Sequence, residues 1–203
     1  MKITIHPLFL LLLLSIVLYG DIALYSIIIS SLLFHECGHF LAAKMVGAQI
    51  EQCKIVPYGG EMTIKNEVLL SYNQIIIIAL GGPIATCIGI LLSTLLPDLL
   101  SVRFIEIQLF ILAINILPIW PLDGGRILCY SILNWRPFSK IFEFYLTVSF
   151  YLLSVIIIVL LYLLPQTLPF AIISLFLWSK VIKDWRMRKY RSAFEKHVMS
   201  RLT

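Results

Sequence analysis

Residues 22–46 read IALYSIIISSLLFHECGHFLAAKMV, an apolar run long enough to cross a bilayer as a helix. Three ionisable side chains, those of His35, Glu36 and His39, stand within five residues in the interior of this run. Ionisable groups are costly within a membrane and usually mark a functional site there. The stretch therefore predicts a membrane-spanning helix that carries chemistry.

The spacing of these three residues is that of a metal site. Residues four apart lie on one face of a helix, so His35 and His39 can offer two imidazole nitrogens to one metal ion. Glu36 is one step round the helix, where its carboxylate can act on a water molecule without being a ligand. This is the H-E-x-x-H arrangement, in which the glutamate is the general base and zinc activates the water.

The composition extends the membrane interpretation to the whole chain. Of its 203 residues, 60% are hydrophobic and only 13% are charged, and the mean hydropathy is +0.97. A soluble domain is less than about half apolar and roughly a quarter charged. We predict an all-α polytopic membrane protein with about six transmembrane helices. The predicted spans are approximately Pro7–Tyr19, Ile22–Val46, Gln74–Leu96, Phe104–Trp120, Phe142–Leu164 and Phe170–Ile182.

The distribution of lysine and arginine predicts the orientation. With six spans, fifteen of the sixteen basic residues fall on the side that holds both termini and the 47–73 and 121–141 connections, and Arg103 alone falls on the other. The positive-inside rule then makes that side cytoplasmic. We predict a six-span core over residues 1–183, a cytoplasmic basic tail over 184–203, and no nucleic-acid partner despite the net charge of +5.

The 47–73 connection is expected to be more than solvated loop. Residues 50–55 alternate loosely between apolar and polar, Pro57-Tyr58-Gly59-Gly60 is typical of a turn, and Met62–Ile64 is again extended in character. The pattern predicts a small membrane-associated β-hairpin. It fits a purely structural hairpin as well as a functional one.

Asp123 is the candidate third ligand, because a catalytic zinc site needs three protein ligands and one open position. It lies in NILPIWPLDGG, residues 115–125, where two prolines and two glycines are expected to end the fourth span. We expect Asp123 in the irregular segment that follows, at a depth similar to that of His39. Irregular backbone at membrane depth is tolerated where it is buried in protein or lines a cavity.

Together, residues 35–39 and 115–125 resemble the paired H-E-x-x-H and N-x-x-P-x-x-x-L-D-G motifs of the site-2 proteases, which perform regulated intramembrane proteolysis. The likeness is greater still to the sporulation branch of that family. Further similarities to this branch are Ile5-His6-Pro7, Pro57-Tyr58-Gly59-Gly60 and the basic tail after Trp178, so that the resemblance extends over nearly the whole chain.

The resemblance implies a set of roles. His35, His39 and Asp123 would bind one Zn²⁺ per chain, and Glu36 would be the general base. Asn115 would orient the scissile peptide or stabilise its oxyanion. The Gly59-Gly60 hairpin would hold substrate, for example as an added strand.

The resemblance also implies the biological setting. The substrate would be a membrane-associated protein, with pro-sigma-K as the candidate, and membrane-protein inhibitors would be partners. The location would be the mother-cell membrane around the forespore. Members of the branch continue into a nucleotide-sensing domain of the CBS type, whereas the sequence ends at Thr203, so it is either a shorter relative or part of a longer chain. ATP control and oligomeric state stay open.

Two rival functions use the same residues. A zinc transporter or other non-hydrolytic metal-binding membrane protein would explain His35, His39 and Asp123 but would give Glu36 no role. A transporter also needs polar residues along a route to the other face, and the outer halves of the spans are apolar. An inactive scaffold has no reason to keep every catalytic residue.

Overall fold

The computed structural model of the protein describes residues 2–5, 22–56, 59–137, 139–164 and 167–202. Within these ranges it contains six α-helices and three β-strands. The helices are α1 (Ile22–Met45), α2 (Tyr72–Ser93), α3 (Asp98–Ile116), α4 (Asp123–Trp135), α5 (Ser139–Tyr162) and α6 (Leu168–Leu202). The strands are β1 (Lys2–Ile5), β2 (Ile50–Val56) and β3 (Gly59–Ile64).

Four of the described helices are long and apolar enough to cross a bilayer, namely Ala23–Met45 of α1, α2, α3 and Lys140–Tyr162 of α5. Large apolar side chains on them stay exposed, as expected of surfaces that face lipid; Leu41, Leu91 and Ile158 are examples. The prediction of an all-α membrane protein with a small hairpin is confirmed. The predicted span Pro7–Tyr19 lies outside the described residues.

Helix α6 is longer than the predicted sixth span. The stretch Phe170–Ile182 occupies its first half, and the helix then continues to Leu202. The boundary predicted between residues 183 and 184 falls inside this continuous helix, and the division into core and tail stays a prediction.

The chain forms two compact units, residues 1–117 and 118–203. In the first unit, the predicted hairpin is confirmed: β2 pairs antiparallel with β3, with Cys53 opposite Met62. Strand β1 adds to the other edge of β2 in parallel, with Lys2 opposite Gln52, so the hairpin belongs to a three-stranded sheet in the order β1-β2-β3.

Helix α2 begins with a capping box in which Ser71 and Gln74 bond to each other's backbone amides. The Gln74 amide also donates to the Val46 carbonyl at 3.0 Å, so the start of α2 is tied to the end of α1. The two helices are therefore antiparallel neighbours, and the hairpin connects them.

In the second unit, α5 and α6 pack through aromatic rings. Phe150 stacks on Trp178 with ring centroids 5.7 Å apart, and the Trp178 indole donates to Ser154 Oγ at 2.9 Å. Helix α4 precedes them and begins directly at Asp123.

This last feature corrects one expectation. Asp123 does not lie in the irregular segment but is the first residue of α4, within a connection where no helix was predicted. The break is completed by residues 118–122, which include the two prolines. The two glycines lie within α4 and do not extend the break. Gly125 lets the new helix pack closely on the segment, because a Cβ there would collide with the Ile119 carbonyl.

Candidate active site

His35 and His39 lie one turn apart on α1 and are buried, with exposed fractions of 1% and 8%. Their rings meet edge to face, and their Nε2 atoms are 3.2 Å apart. The predicted pair of imidazoles on one helix face is therefore present. What the pair can do depends on which ring nitrogens carry the protons.

The partners of the Nδ1 atoms identify the tautomers. The Thr86 hydroxyl donates to the Gly82 carbonyl at 3.1 Å, so at 2.7 Å from His35 Nδ1 it accepts the ring proton. His39 Nδ1 lies 2.8 Å from the Ile78 carbonyl, which can only accept. The Gly82 amide also donates toward His39 Nδ1, at 3.3 Å. The contact to the Ile78 carbonyl is 0.5 Å shorter, and two acceptor atoms come so close only when a proton lies between them. We therefore assign the protons to Nδ1 in both rings.

This assignment leaves two unprotonated Nε2 atoms facing each other. Two lone pairs at 3.2 Å repel unless a cation lies between them. Two Zn–N bonds of about 2.0–2.1 Å at a tetrahedral angle would hold their nitrogens about 3.3 Å apart. The spacing of the two nitrogens thus fits a zinc site.

Gly82 on α2 provides the space beside these nitrogens. A Cβ built on Gly82 would collide with His39 Nε2 and lie 2.5 Å from His35 Nε2. The Gly81-Gly82-Pro83 sequence suggests close helix packing, but the space that Gly82 leaves beside the two histidines was not predicted. Thr86, which orients His35, was also missed; its position four residues after Gly82, on the same helix face, was the available signal.

The two helices approach closely because small residues meet at their crossing. A Cβ on Gly81 would lie 2.5 Å from the Gly38 carbonyl oxygen and 2.8 Å from Ala42 Cβ. A Cβ on Gly38 would likewise collide with the Gly81 carbonyl. Small residues at such a crossing let backbones come into contact within a membrane, and here the contact brings the partners on α2 to the histidines.

Glu36 is next to the hairpin. A Cβ on Gly60 of β3 would lie 2.6 Å from Glu36 Oε2, so the carboxylate lies directly against this glycine. Cys53 on β2 is near the same carboxylate: burial raises the pKa of the Cys53 thiol, and electrostatic interactions with Glu36 and Cys37 raise it further. Of the predicted hairpin residues, Gly60 is thus brought to Glu36, while Gly59 pairs with Val56 at the start of β3.

Asn115 lies in the last turn of α3 and is half-buried. Its side-chain amide donates one hydrogen bond, at 3.0 Å, to the Ile111 carbonyl of its own helix. A primary amide has a second N–H, which is left to bind another group.

Asp123 is 8% exposed at the start of α4. A carboxylate is favoured at this end of a helix, where backbone N–H groups are unpaired. The first turn of α4 packs tightly, because a Cβ on Gly125 would collide with the Ile119 carbonyl and lie 2.7 Å from the Trp120 nitrogen.

Two proteins of known family are similar to this chain in sequence. No protein-family model matches the chain. The chain is 24% identical over 196 residues to stage IV sporulation protein FB of Bacillus subtilis, a match that covers 94% of the chain and 68% of that protein. It is 28% identical over 116 residues to a zinc metalloprotease of Methanocaldococcus jannaschii, covering 52% of the chain and 33% of that relative.

A solved structure shares the fold. The site-2 protease from Methanocaldococcus jannaschii superposes with a TM-score of 0.68 at 22% sequence identity, over 91% of this chain and 92% of the other. The relatives support an intramembrane metalloprotease. The paired motifs and the relatives support the site-2 protease family, close to stage IV sporulation protein FB.

Proposed function

We propose that the chain is a zinc endopeptidase that cleaves a membrane-associated protein at the cytoplasmic edge of the bilayer. The observation that carries the proposal is the geometry at α1. Two histidines present unprotonated Nε2 atoms at the spacing of metal ligands, and the next residue after His35 is a carboxylate that contacts the hairpin.

The metal ligands in this proposal are His35, His39 and Asp123. All three are buried, and together they offer two imidazole nitrogens and a carboxylate oxygen. This donor set suits a zinc ion with one open position, which is the arrangement of catalytic rather than structural sites. The curated zinc metalloprotease among the relatives supports the choice of metal.

Bound zinc would supply Lewis-acid chemistry for peptide hydrolysis. Glu36 would accept a proton from the attacking water and deliver it to the leaving amine nitrogen, so that the carboxylate is regenerated at the end of the cycle. Asn115 would use its second amide hydrogen to orient the scissile peptide or to stabilise the oxyanion. These are the roles that the resemblance to the site-2 proteases implies for the residues at these positions of the two motifs.

The hairpin offers a way to present the substrate. Within the described part of the chain, β3 is the outer strand of its sheet, so its free edge can pair with an extended peptide. Gly60 of β3 touches Glu36, and a peptide added along this edge would run past the general base. A protease needs an extended substrate, and strand addition provides one.

The distribution of basic residues among the loops supports the cytoplasmic location, because nearly all of them lie on the predicted side of the 47–73 and 121–141 connections. The likeness to stage IV sporulation protein FB suggests a sporulation setting. We therefore propose a sigma-factor pro-sequence such as that of pro-sigma-K as the substrate, in the mother-cell membrane around the forespore.

Co-expression with a pro-sigma-factor tests this function. The native chain is expected to shorten the substrate, whereas Glu36→Gln should leave it intact while remaining in the membrane. Equal processing by both would exclude Glu36 as the base. Processing by neither would exclude this substrate.

Strand addition is tested by cross-linking to an uncleaved substrate in the Glu36→Gln protein. A cysteine at Gly60 would itself press on residue 36, so the probe belongs at Thr63, an exposed β3 residue, after replacement of the four native cysteines. Cross-links are expected from Thr63 to residues beside the cleavage site and not from Asp98, at the start of α3. The reverse result would contradict both the hairpin and the topology.

The rival transporter function makes a different prediction. A non-hydrolytic zinc carrier would move zinc across the membrane and would be little affected by Glu36→Gln. The contact between Glu36 and Gly60 favours hydrolysis, because it places a carboxylate where an extended chain can bind.

A further inference from the structure

The segment before Asp123, residues 118–122, is held by side chains from distant parts of the chain. Tyr145 Oη of α5 donates to the Pro118 carbonyl at 2.8 Å. Ser149 Oγ, also on α5, accepts from the Trp120 backbone amide at 3.1 Å. These two contacts fix the backbone of the segment on either side of Ile119.

A third contact comes from α6. The Trp120 indole Nε1 donates to Asp184 Oδ2 at 2.8 Å. Trp120 is 8% exposed, and a buried indole N–H needs an acceptor. A carboxylate acceptor makes this a charge-assisted bond, which is shorter and stronger than a neutral one. Asp184 is 64 residues away in sequence and lies outside every motif noted in the sequence.

The Trp120 side chain is held on other sides as well. Phe142 packs against the indole edge to face at 5.1 Å between ring centroids, and the Arg126 guanidinium lies 5.8 Å from the ring centroid. The Asp184 bond therefore adds a directional contact to an indole ring that Phe142 and Arg126 already contact.

The position of Trp120 determines that of the first turn of α4. The Leu122 amide donates to the Ile119 carbonyl at 2.9 Å, which makes a tight turn directly before the helix. Gly125 packs on the Ile119–Trp120 peptide so closely that a Cβ would not fit. A shift of Trp120 must move this peptide, and the turn that carries Asp123 must move with it.

We propose that Asp184 is a positioning residue for Asp123. Through its hydrogen bond to Trp120, Asp184 fixes the first turn of α4 and with it the orientation of the Asp123 carboxylate. This inference rests on the proposed role of Asp123 as a metal ligand. It gives the start of the predicted tail a part in the active site, although Asp184 does not touch substrate or metal.

The test compares Asp184→Ala with Asp184→Asn and Trp120→Phe. Zinc affinity is measured by chelator competition, and the ligand geometry by the absorption spectrum of Co²⁺-loaded protein. Asp184→Ala is expected to weaken zinc binding by about 10- to 100-fold, the range for residues that orient a metal ligand, and to alter the Co²⁺ spectrum. Asp184→Asn should recover most of the affinity, because its side-chain oxygen can still accept from the indole.

Ser154→Ala is the matched control. It removes the acceptor of another indole, that of Trp178, whose hydrogen bond links α6 to α5 and does not involve the segment before Asp123. Zinc affinity and the Co²⁺ spectrum should then be native, so a general loosening of α5 and α6 is distinguished from misplacement of Asp123. Because Asp184 acts through the indole N–H, Trp120→Phe combined with Asp184→Ala should be no weaker than Trp120→Phe alone.

The outcomes separate the inference from the function on which it rests. Native zinc affinity in Asp184→Ala, with zinc lost in Asp123→Ala, would overturn the inference alone. Native zinc affinity in Asp123→Ala would overturn the metal role of Asp123 and the inference with it. If Asp184→Ala does not fold, Asp184→Asn and Trp120→Phe decide, and native zinc binding by Trp120→Phe would again overturn the inference.

Discussion

The histidines on α1 and the aspartate on α4 are held in place by two different kinds of structure. His35 and His39 belong to a regular helix whose neighbour, α2, approaches to backbone contact at Gly38 and Gly81. Asp123 follows an irregular segment that Tyr145, Ser149 and Asp184 hold by hydrogen bonds. Small residues thus position the histidine pair, and distant polar side chains position the segment before Asp123.

The difference predicts how each region should respond to mutation. At the helix pair, an added atom should be most damaging, because space is limiting. Around the irregular segment, a removed hydrogen-bond partner should be most damaging, because the backbone there has no helical ladder of its own.

Gly82→Ala should have the largest effect. Its methyl group would occupy the place beside both Nε2 atoms, so zinc affinity and cleavage should fall by more than the roughly 100-fold that follows loss of an orienting residue. Zinc titration of the purified protein measures this. Gly89→Ala, two turns later on α2, is the control, because the atoms nearest its Cβ belong to the side chains of Gln108 and Phe34 and not to the histidines. Equal zinc binding by both variants would show that space at Gly82 is not limiting.

Thr86→Val should have an intermediate effect. Valine keeps the volume but removes the oxygen that accepts from His35 Nδ1 and so fixes its tautomer. Zinc affinity should fall by about 10- to 100-fold, as for other residues that orient a histidine ligand. Thr94→Val, whose exposed hydroxyl bonds to the Leu91 carbonyl, should bind zinc normally. Unchanged affinity in Thr86→Val would refute the tautomer assignment.

Ser149→Ala should have the smallest effect, and on stability. It leaves the buried Trp120 amide without its acceptor, which should lower the free energy of unfolding in detergent by about 1 kcal/mol. Ser31 is a matched control, since it is equally buried and its hydroxyl has no hydrogen-bond partner among the described residues. Ser31→Ala should therefore cost little. A larger loss in Ser31→Ala than in Ser149→Ala would contradict the comparison.

The region around the histidines could be predicted from the sequence, whereas the region around Asp123 could be predicted only in part. The histidine pair and the hairpin were predicted because both depend on local spacing, of four residues on a helix and of alternation in a strand. Thr86 and Asp184 were not predicted, because they lie 51 and 64 residues from the side chains that they contact. Helix α4 was not predicted, because prolines and glycines commonly end a helix, whereas Gly125 permits the close packing that starts the new one.

The most direct test of the central claim is the zinc content of purified native protein, Glu36→Gln and Asp123→Ala, measured beside their cleavage of substrate. We predict one zinc per chain in the native protein and in Glu36→Gln, with cleavage by the native protein alone. Asp123→Ala should lose both zinc and activity. A full equivalent of tightly bound zinc in Asp123→Ala, or near-native cleavage by zinc-loaded Glu36→Gln, would contradict the account.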